Sequence, residues 1–350
     1  MSMIQRQSNF ELLRILSMLG VLTNHVLQNC YPDLHSGDFS IANEFRILLM
    51  NISIIAVNCF VMISGYFRIR QSIHSFLSLY VQLIFYSALF SVIGYGFGEL
   101  SLQDTLLRIV FPFTEGGMWF MVAYLGLYLI SPILNMGYES LNAFQRHVLL
   151  GCFIIVDVYL GYMHQSPEVS VDGYHVVHFL CLYYIGMYIS TMCKCRMSLK
   201  LGLSWSGIVI LMTMMHAIKM VWFPITILYS MRYNSPMVMF ASVVFFMWVQ
   251  TWKLQSKIIN WIAVSFFSVY VIHSQPVVSS LFFGFLKDVS QSSNINIIMS
   301  AVILVISTLM LFALCISLDK FRIFICAPIV KTCTAWIEQA HDRLTKYSCS

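Results

Sequence analysis

The chain has 350 residues, of which 59% are hydrophobic and only 10% are charged, and its mean hydropathy is +0.78. A soluble domain carries about 25% charged residues, so this composition excludes a soluble globular protein and requires lipid around much of the surface. The net charge of +5 is spread along the chain, which argues against nucleic-acid binding.

Ten transmembrane helices are predicted, because one crossing needs about 20 apolar residues and the connecting stretches are short. The predicted fold is therefore an all-α polytopic bundle in a cell membrane. In chain order the ten segments are residues 10–28, 46–67, 73–97, 118–136, 147–163, 176–192, 201–220, 235–252, 259–285 and 295–318. Two weaker stretches, 102–113 and 215–234, are expected to be short re-entrant or interfacial pieces.

Lys and Arg residues predict the orientation of this bundle, since cytoplasmic loops are enriched in both. Apart from Arg14, which lies inside the first helix, one side takes five: Arg46, Arg108, Lys219, Arg232 and Lys287. The other side takes fourteen: Arg6, Arg68, Arg70, Arg146, Lys194, Arg196, Lys200, Lys253, Lys257, Lys320, Arg322, Lys331, Arg343 and Lys346. We therefore expect both termini to be cytoplasmic, and an even number of crossings.

Two units are predicted: a transmembrane domain at 1–318 and a short cytoplasmic tail at 319–350. The tail mixes basic residues with Phe321, Ile323, Ile325, Ile329, Trp336 and Ile337, a pattern that allows an amphipathic helix at the membrane surface. The ten cysteines are scattered. Cys193 and Cys195 are too close for the usual zinc spacing, so we predict no metal site.

The first helix carries ionisable residues that are costly in a bilayer and are therefore candidates for function. Glu11 lies three residues before Arg14, close enough for an ion pair. Arg14 and His25 are eleven positions apart, almost three full turns, so they share one helix face about 16 Å apart along the axis. The simpler interpretation is a positive-inside anchor at Arg14 and an interfacial residue at His25.

Further polar candidates lie in other segments. Asp157 and His273 fall within predicted membrane helices, where each is either a paired structural residue or part of a site. Arg68, Arg70 and His74 follow the second helix on the predicted cytoplasmic side. They either anchor the topology or form a phosphate-binding cluster, because Arg presents paired donors to phosphate oxygens.

The sequence resembles the acyltransferase-3 family of membrane-bound acyltransferases over most of the ten-helix region. The family hallmark, Arg followed by ten residues and a His, is present as Arg14 to His25. Its surroundings are similar too, and in family order they read NFELLRIL from residue 9, NCFVMISGYF from 58, MWF from 118 with LYLISP from 127, and SVYVIH from 268. One departure is that a single residue separates Arg68 and Arg70, where relatives often have two.

The resemblance implies an O-acetyltransferase that moves an acyl group, typically acetyl, from cytoplasmic acyl-CoA to a hydroxyl of a surface polysaccharide or lipid-linked sugar. No permanently bound cofactor is implied. Arg14 and His25 would be catalytic, and His25 would act either as general base or as the residue that carries the acyl group. Arg14, Arg68 and Arg70 would bind the donor, and we expect the substrates to be surrounded by Glu11, Tyr66, Trp119, Asp157 and His273.

A second class of function also fits buried Arg and His residues in a helix bundle: a transporter or flippase for a glycolipid or small solute. The sequence has no detectable internal repeat, which counts against the inverted-repeat transporter folds. Consumption of acetyl-CoA separates the two classes, because a pure transporter would leave the thioester intact.

Overall fold

A computed structural model describes residues 6–32, 40–112, 118–193, 198–221, 230–292 and 297–348. Every regular element in these ranges is helical. The helices are α1 (Ser8–Cys30), α2 (Ile41–Ser53), α3 (Ala56–Phe67), α4 (Ile73–Gly96), α5 (Leu102–Val110), α6 (Trp119–Ser140), α7 (Ala143–Ile155), α8 (Val176–Met192), α9 (Ser198–Val221), α10 (Pro236–Gln250), α11 (Lys257–Ala263), α12 (Phe266–His273), α13 (Pro276–Gln291) and α14 (Ile297–Ser348). A π-helical segment, Val156–Met163, continues α7.

The helices match the predicted all-α transmembrane bundle. In the described residues, seven helical stretches are long and apolar enough to span a membrane, α11–α12 and α13 together form one bent candidate, and α8 and α10 are shorter apolar helices. Each of the ten predicted segments therefore coincides with one, two or three consecutive helices. The predicted short piece at 102–113 contains α5, whereas most of the interrupted part of 215–234 lies outside the described residues.

Two helices begin earlier than predicted because side chains cap them. The Ser40 hydroxyl accepts a hydrogen bond from the Asn43 backbone N–H, so α2 starts at Ile41. Asn142 and Gln145 form a reciprocal capping box that starts α7 at Ala143. Such caps satisfy the backbone donors that a helix leaves free at its first turn.

The single helix predicted at 259–285 is wrong in shape. The structure breaks this span into α11, α12 and α13, and α13 is bent by 84° from the preceding pair. Pro276 occupies the first turn of α13, where its missing N–H and fixed φ favour a new helix start. The break leaves His273 in the last turn of α12.

The last helix does not end at residue 318, as predicted, but runs from Ile297 to Ser348. Charged residues suggested an end, yet Asp319 and Arg322 are buried and paired, with Arg322 Nε 2.7 Å from Asp319 Oδ1. The same Asp319 oxygen accepts hydrogen bonds from Gln82 Nε2 and the Tyr86 hydroxyl of α4. This network fixes α14 to α4 beyond the predicted boundary. The amphipathic, interfacial nature of the tail remains a prediction.

Helix α3 lies at the centre of the bundle and packs closely on α8. A Cβ on Gly65 would lie 2.0 Å from the Tyr183 carbonyl oxygen, and a Cβ on Gly186 would lie 2.2 Å from the Met62 carbonyl oxygen. Small residues at such positions let two membrane helices approach closely. The close contact holds the α3 segment that leads into Arg68 and Arg70.

Candidate active site

His25 and His273 meet inside the bundle although they are 248 positions apart in the sequence. His25 Nδ1 lies 2.9 Å from His273 Nε2, and the ring centroids are 5.0 Å apart. The break after α12 makes this possible, because it ends that helix at His273 beside α1. His273 is buried, whereas His25 is partly exposed to a cavity.

Hydrogen bonding fixes which nitrogen of each neutral imidazole carries the proton. His273 Nδ1 lies 2.5 Å from the Val269 carbonyl oxygen, which can only accept, so Nδ1 is the protonated nitrogen. His273 Nε2 is then an acceptor for the Nδ1–H of His25. This assignment leaves His25 Nε2 with a free lone pair, and Nε2 has no hydrogen-bond partner among the described residues.

A small cavity of about 30 Å³ borders His25, hereafter the histidine cavity. Its wall is almost wholly apolar and aromatic, which restricts water near the imidazole. The lining residues are Met18, Val21, His25, Val57, Phe60, Trp119, Phe120, Tyr233, Phe266, Phe267 and Tyr270.

A second cavity, of about 690 Å³, is lined by Arg14, Arg68 and Arg70 and is called the arginine cavity below. Arg6 and His74 line it as well. Arg14 Nη1 lies 2.8 Å from Glu11 Oε1, so the ion pair predicted from their spacing is present. The cavity therefore combines several positive charges with enough room for a large anionic ligand.

The two cavities share four lining residues: Phe60, Phe120, Phe266 and Phe267. The rings of Phe60 and Phe266 are stacked with centroids 5.2 Å apart, and the Phe120 ring lies 6.3 Å from Phe60. These four residues, hereafter the phenylalanine neck, separate a cationic space from an apolar one. A long, thin chain could pass between them only by displacing aromatic side chains.

A family model described as an acyltransferase domain matches residues 7–320, most of the chain, including every lining residue of both cavities except Arg6. The chain belongs to the acyltransferase-3 family. It is thus a multi-pass membrane acyltransferase, as the resemblance of its segments predicted. Comparisons with curated proteins and with solved structures give no match.

The acyltransferase structure places the predicted site residues in three groups. Arg14, Arg68 and Arg70 line the arginine cavity, with Glu11 paired to Arg14. His25 and Trp119 line the histidine cavity, and His273 contacts His25 from behind. Tyr66 and Asp157 line neither cavity. Tyr66 packs on Phe10 with centroids 4.7 Å apart and accepts a hydrogen bond from Gln250 Nε2.

The segment that carries Arg68 and Arg70 is fixed by α6 and α8. The Tyr183 hydroxyl accepts a hydrogen bond from the Ile69 N–H at 2.9 Å, and Asn135 Nδ2 donates to the Ile69 carbonyl at 3.0 Å. Arg68 has a left-handed backbone (φ 58°) and pairs with Glu139. Arg70 is exposed and has no ion-pair partner in the described part of the chain. Arg70 is therefore the freer of the two to bind a ligand.

Asp157 belongs to a buried network rather than to a cavity wall. Asp157 Oδ2 lies 2.6 Å from His178 Nδ1, and both side chains are fully buried. His178 Nε2 lies 3.1 Å from Asn58 Oδ1, while Asn58 Nδ2 donates to the Tyr233 carbonyl at 3.0 Å. The network thus ties the π-helical segment and α8 to Tyr233, a residue of the histidine cavity.

Replacing Asp157 with alanine should destabilise the protein by about 1–3 kcal/mol, because it leaves the buried His178 Nδ1 without its hydrogen-bond partner. Thermal unfolding in detergent, followed by intrinsic fluorescence, measures this effect. Glu99→Ala, which removes an exposed acid, is the matched control and should change stability little. Equal stability of the two variants would contradict a buried Asp157–His178 hydrogen bond.

Several residues of this site were missed by sequence analysis. Arg6 was counted only for topology, and none of the four phenylalanines of the neck was singled out. Nothing in the local pattern distinguishes a cavity-lining Phe from a lipid-facing one. Within the described residues, no three His, Cys, Asp or Glu side chains are grouped as ligands for a metal ion.

Proposed function

We propose that the protein transfers an acetyl group from acetyl-CoA to a hydroxyl of a surface polysaccharide or lipid-linked sugar. The observation that carries this proposal is that the two cavities share the phenylalanine neck, with a cluster of arginines on one side of it and an unpartnered imidazole nitrogen on the other. The arginine cavity has the room and positive charge to hold a large anion, and the histidine cavity has the basic nitrogen, His25 Nε2, that acyl transfer to a hydroxyl needs.

The donor would bind with its nucleotide in the arginine cavity. CoA is a large anion that cannot enter lipid, and Arg6, Arg14, Arg68 and Arg70 offer positive charge where it would be held. By the positive-inside prediction, this end of the bundle faces the cytoplasm. The thin pantetheine arm would extend through the phenylalanine neck and bring the thioester to His25.

His25 would act as general base on the acceptor hydroxyl. Its Nε2 takes the proton as the hydroxyl oxygen forms a bond to the thioester carbonyl carbon. The C–S bond then breaks, and the proton passes to the departing sulfur to give CoA. Meanwhile the Nδ1–H of His25 donates to His273, which stabilises the imidazolium and keeps the ring oriented.

Direct transfer is favoured over an acyl group carried on His25, because donor and acceptor can reach the same cavity from its two ends. An acyl-histidine intermediate would require the same nitrogen as nucleophile. Rapid quenching followed by mass spectrometry distinguishes the routes: direct transfer leaves the His25 peptide without an added acetyl group.

Release of CoA from acetyl-CoA by the purified protein in detergent, with and without de-O-acetylated cell-envelope glycan, tests the proposed function. We expect release that the glycan stimulates. A protein that neither binds nor consumes acetyl-CoA or another acyl-CoA would contradict an acyl-CoA-dependent transferase and would favour a transporter or flippase.

Arg70→Gln should raise the KM for acetyl-CoA about tenfold, since a hydrogen bond to a charged group contributes about 1.5 kcal/mol. The KM for the glycan should not change. Lys253→Gln removes an exposed cation on the same predicted side but outside the arginine cavity, and it serves as control. Equal effects of the two variants would mean that Arg70 acts only through overall charge.

A further inference from the structure

Three aromatic rings cluster where the histidine cavity approaches the end of the bundle opposite the arginines. The Trp119 centroid lies 4.4 Å from that of Tyr174 and 5.6 Å from that of Tyr233, and the two tyrosine centroids are 5.4 Å apart. Trp119 begins α6, Tyr174 precedes α8 and Tyr233 precedes α10. Three separate segments therefore build one cluster, hereafter the aromatic platform.

The platform connects the cavity to the surface. Trp119 and Tyr233 line the histidine cavity together with His25, and Tyr233 is buried. Tyr174 does not line that cavity and is 44% exposed. A ligand that lies on Tyr174 could therefore extend along Trp119 toward His25.

An ion pair borders the platform and holds its two tyrosine segments together. Arg232 Nε lies 2.8 Å from Asp172 Oδ1, and both side chains are about one-third exposed. The Tyr233 N–H donates to the Asp172 carbonyl at 3.1 Å. Gly173 has a φ of +85°, and a Cβ there would lie 2.7 Å from Tyr233 Cβ. The 164–175 segment is thus shaped to pack on Tyr233.

An exposed aromatic ring beside polar groups, as at Tyr174, is a favourable surface for a sugar. The C–H bonds on one face of a sugar ring are slightly positive and pack on the negative face of an aromatic ring. The hydroxyls at the edge of the sugar can bond to a carboxylate and a guanidinium. Burial and, to a lesser extent, the Asp172 carboxylate raise the pKa of the Tyr174 phenol, so its hydroxyl stays a donor at neutral pH.

We propose that the aromatic platform, with Asp172 and Arg232 at its edge, is the acceptor subsite and binds a sugar ring next to the one that is acylated. This inference rests on the proposed function. It places the acceptor at the opposite end of the bundle from the donor. The platform sugar fixes the acceptor chain while the neighbouring hydroxyl reaches His25 Nε2.

The test compares steady-state kinetics of Tyr174→Ala with wild type, using acetyl-CoA and de-O-acetylated cell-envelope polysaccharide. We expect the KM for polysaccharide to rise about fivefold or more. The KM for acetyl-CoA and the slow CoA release to water without polysaccharide should be unchanged. Tyr174→Phe keeps the aromatic ring and should retain most of the affinity for polysaccharide. Tyr174→Leu keeps a large apolar side chain without a ring, and its polysaccharide KM should rise as in Tyr174→Ala.

Tyr159→Ala is the matched control, because Tyr159 is an exposed tyrosine at the same end of the bundle but outside the platform. An unchanged polysaccharide KM in Tyr174→Ala would overturn the proposal. An equal rise of the polysaccharide KM in Tyr159→Ala would also overturn it. So would a Tyr174→Ala variant that loses CoA release without polysaccharide to the same extent as CoA release with polysaccharide. A lipid-linked oligosaccharide of the same repeat is assayed in parallel, since whichever acceptor loses more affinity is the one that the platform serves.

Calorimetric titration of polysaccharide separates failure of this inference from failure of the proposed function. Wild type that binds polysaccharide more tightly than Tyr174→Ala, yet releases no CoA, would support the platform and contradict the acyl-CoA reaction. If wild type releases CoA in a polysaccharide-dependent way and Tyr174→Ala binds polysaccharide as tightly as wild type, the acyl-CoA reaction would be supported and the platform contradicted. If wild type binds neither the polysaccharide nor the lipid-linked oligosaccharide, the platform proposal would be overturned.

Discussion

His25→Ala is expected to lower the rate constant for acyl transfer by about 10²–10⁴-fold, the range typical for loss of a general acid–base residue. The KM for acetyl-CoA should stay close to wild type, because the charges proposed to bind the donor lie in the arginine cavity. Steady-state kinetics with glycan acceptor, together with an unfolding curve for the variant, measure both quantities.

His273 should show a related but smaller dependence, since it is proposed to orient His25 and not to touch the substrates. His273→Ala should lower kcat without raising the KM for acetyl-CoA. His273→Gln should recover part of the loss, because its amide oxygen can accept the Nδ1–H of His25. His164→Ala, an exposed histidine, is the control. Full activity of His25→Ala would contradict a catalytic role for His25. An unchanged kcat in His273→Ala would contradict the role of His273 in orienting His25.

Gly65→Ala is expected to produce the largest loss of stability from a single added methyl group. The new Cβ would lie 2.0 Å from the Tyr183 carbonyl oxygen, and a backbone atom cannot move aside as a flexible side chain can. Overpacking of this kind costs about 1–3 kcal/mol or more. We expect a lower unfolding temperature in detergent and reduced yield of folded protein. Activity should fall too, because the α3–α8 contact positions Arg68 and Arg70.

Gly207→Ala provides the matched control for this effect. Gly207 lies within α9, and a Cβ there would meet no atom within 4 Å. Alanine is a better helix former than glycine, so this variant should be as stable as wild type or more so. If Gly65→Ala unfolds at the same temperature as Gly207→Ala, α3 and α8 cannot be packed as closely as described.

The sequence predicted the helices well because each apolar segment has to be about long enough to cross a bilayer. Its two errors of shape have local causes. Pro276 sits inside an apolar run that looks continuous, so the bend between α12 and α13 was missed. Asp319 and Arg322 resemble the end of a span, and only the partners on α4 show that the helix continues through them.

The candidate site was only partly predictable. The eleven-residue spacing of Arg14 and His25 is almost three helical turns, so the sequence alone predicts that both lie on one face of the first helix. The contact between His25 and His273 joins residues that are 248 positions apart in the chain. The local sequence around each one does not indicate that they are close in space. The same limit applies to Asp157, whose interior position was expected but whose partner His178 was not identified, and to the phenylalanine neck.

Sealed membrane vesicles that expose one face of the protein at a time test whether His25 is reached by the donor from one end of the bundle and by the acceptor from the other. Acetyl-CoA is supplied on the face that carries residues 68–72, and de-O-acetylated glycan on the opposite face. We predict that CoA and O-acetylated glycan form in equal amounts in this arrangement and not when the two substrates are exchanged. Failure to consume acetyl-CoA from either face, or transfer only when both substrates share one face, would contradict the account of one histidine reached from two ends of the bundle.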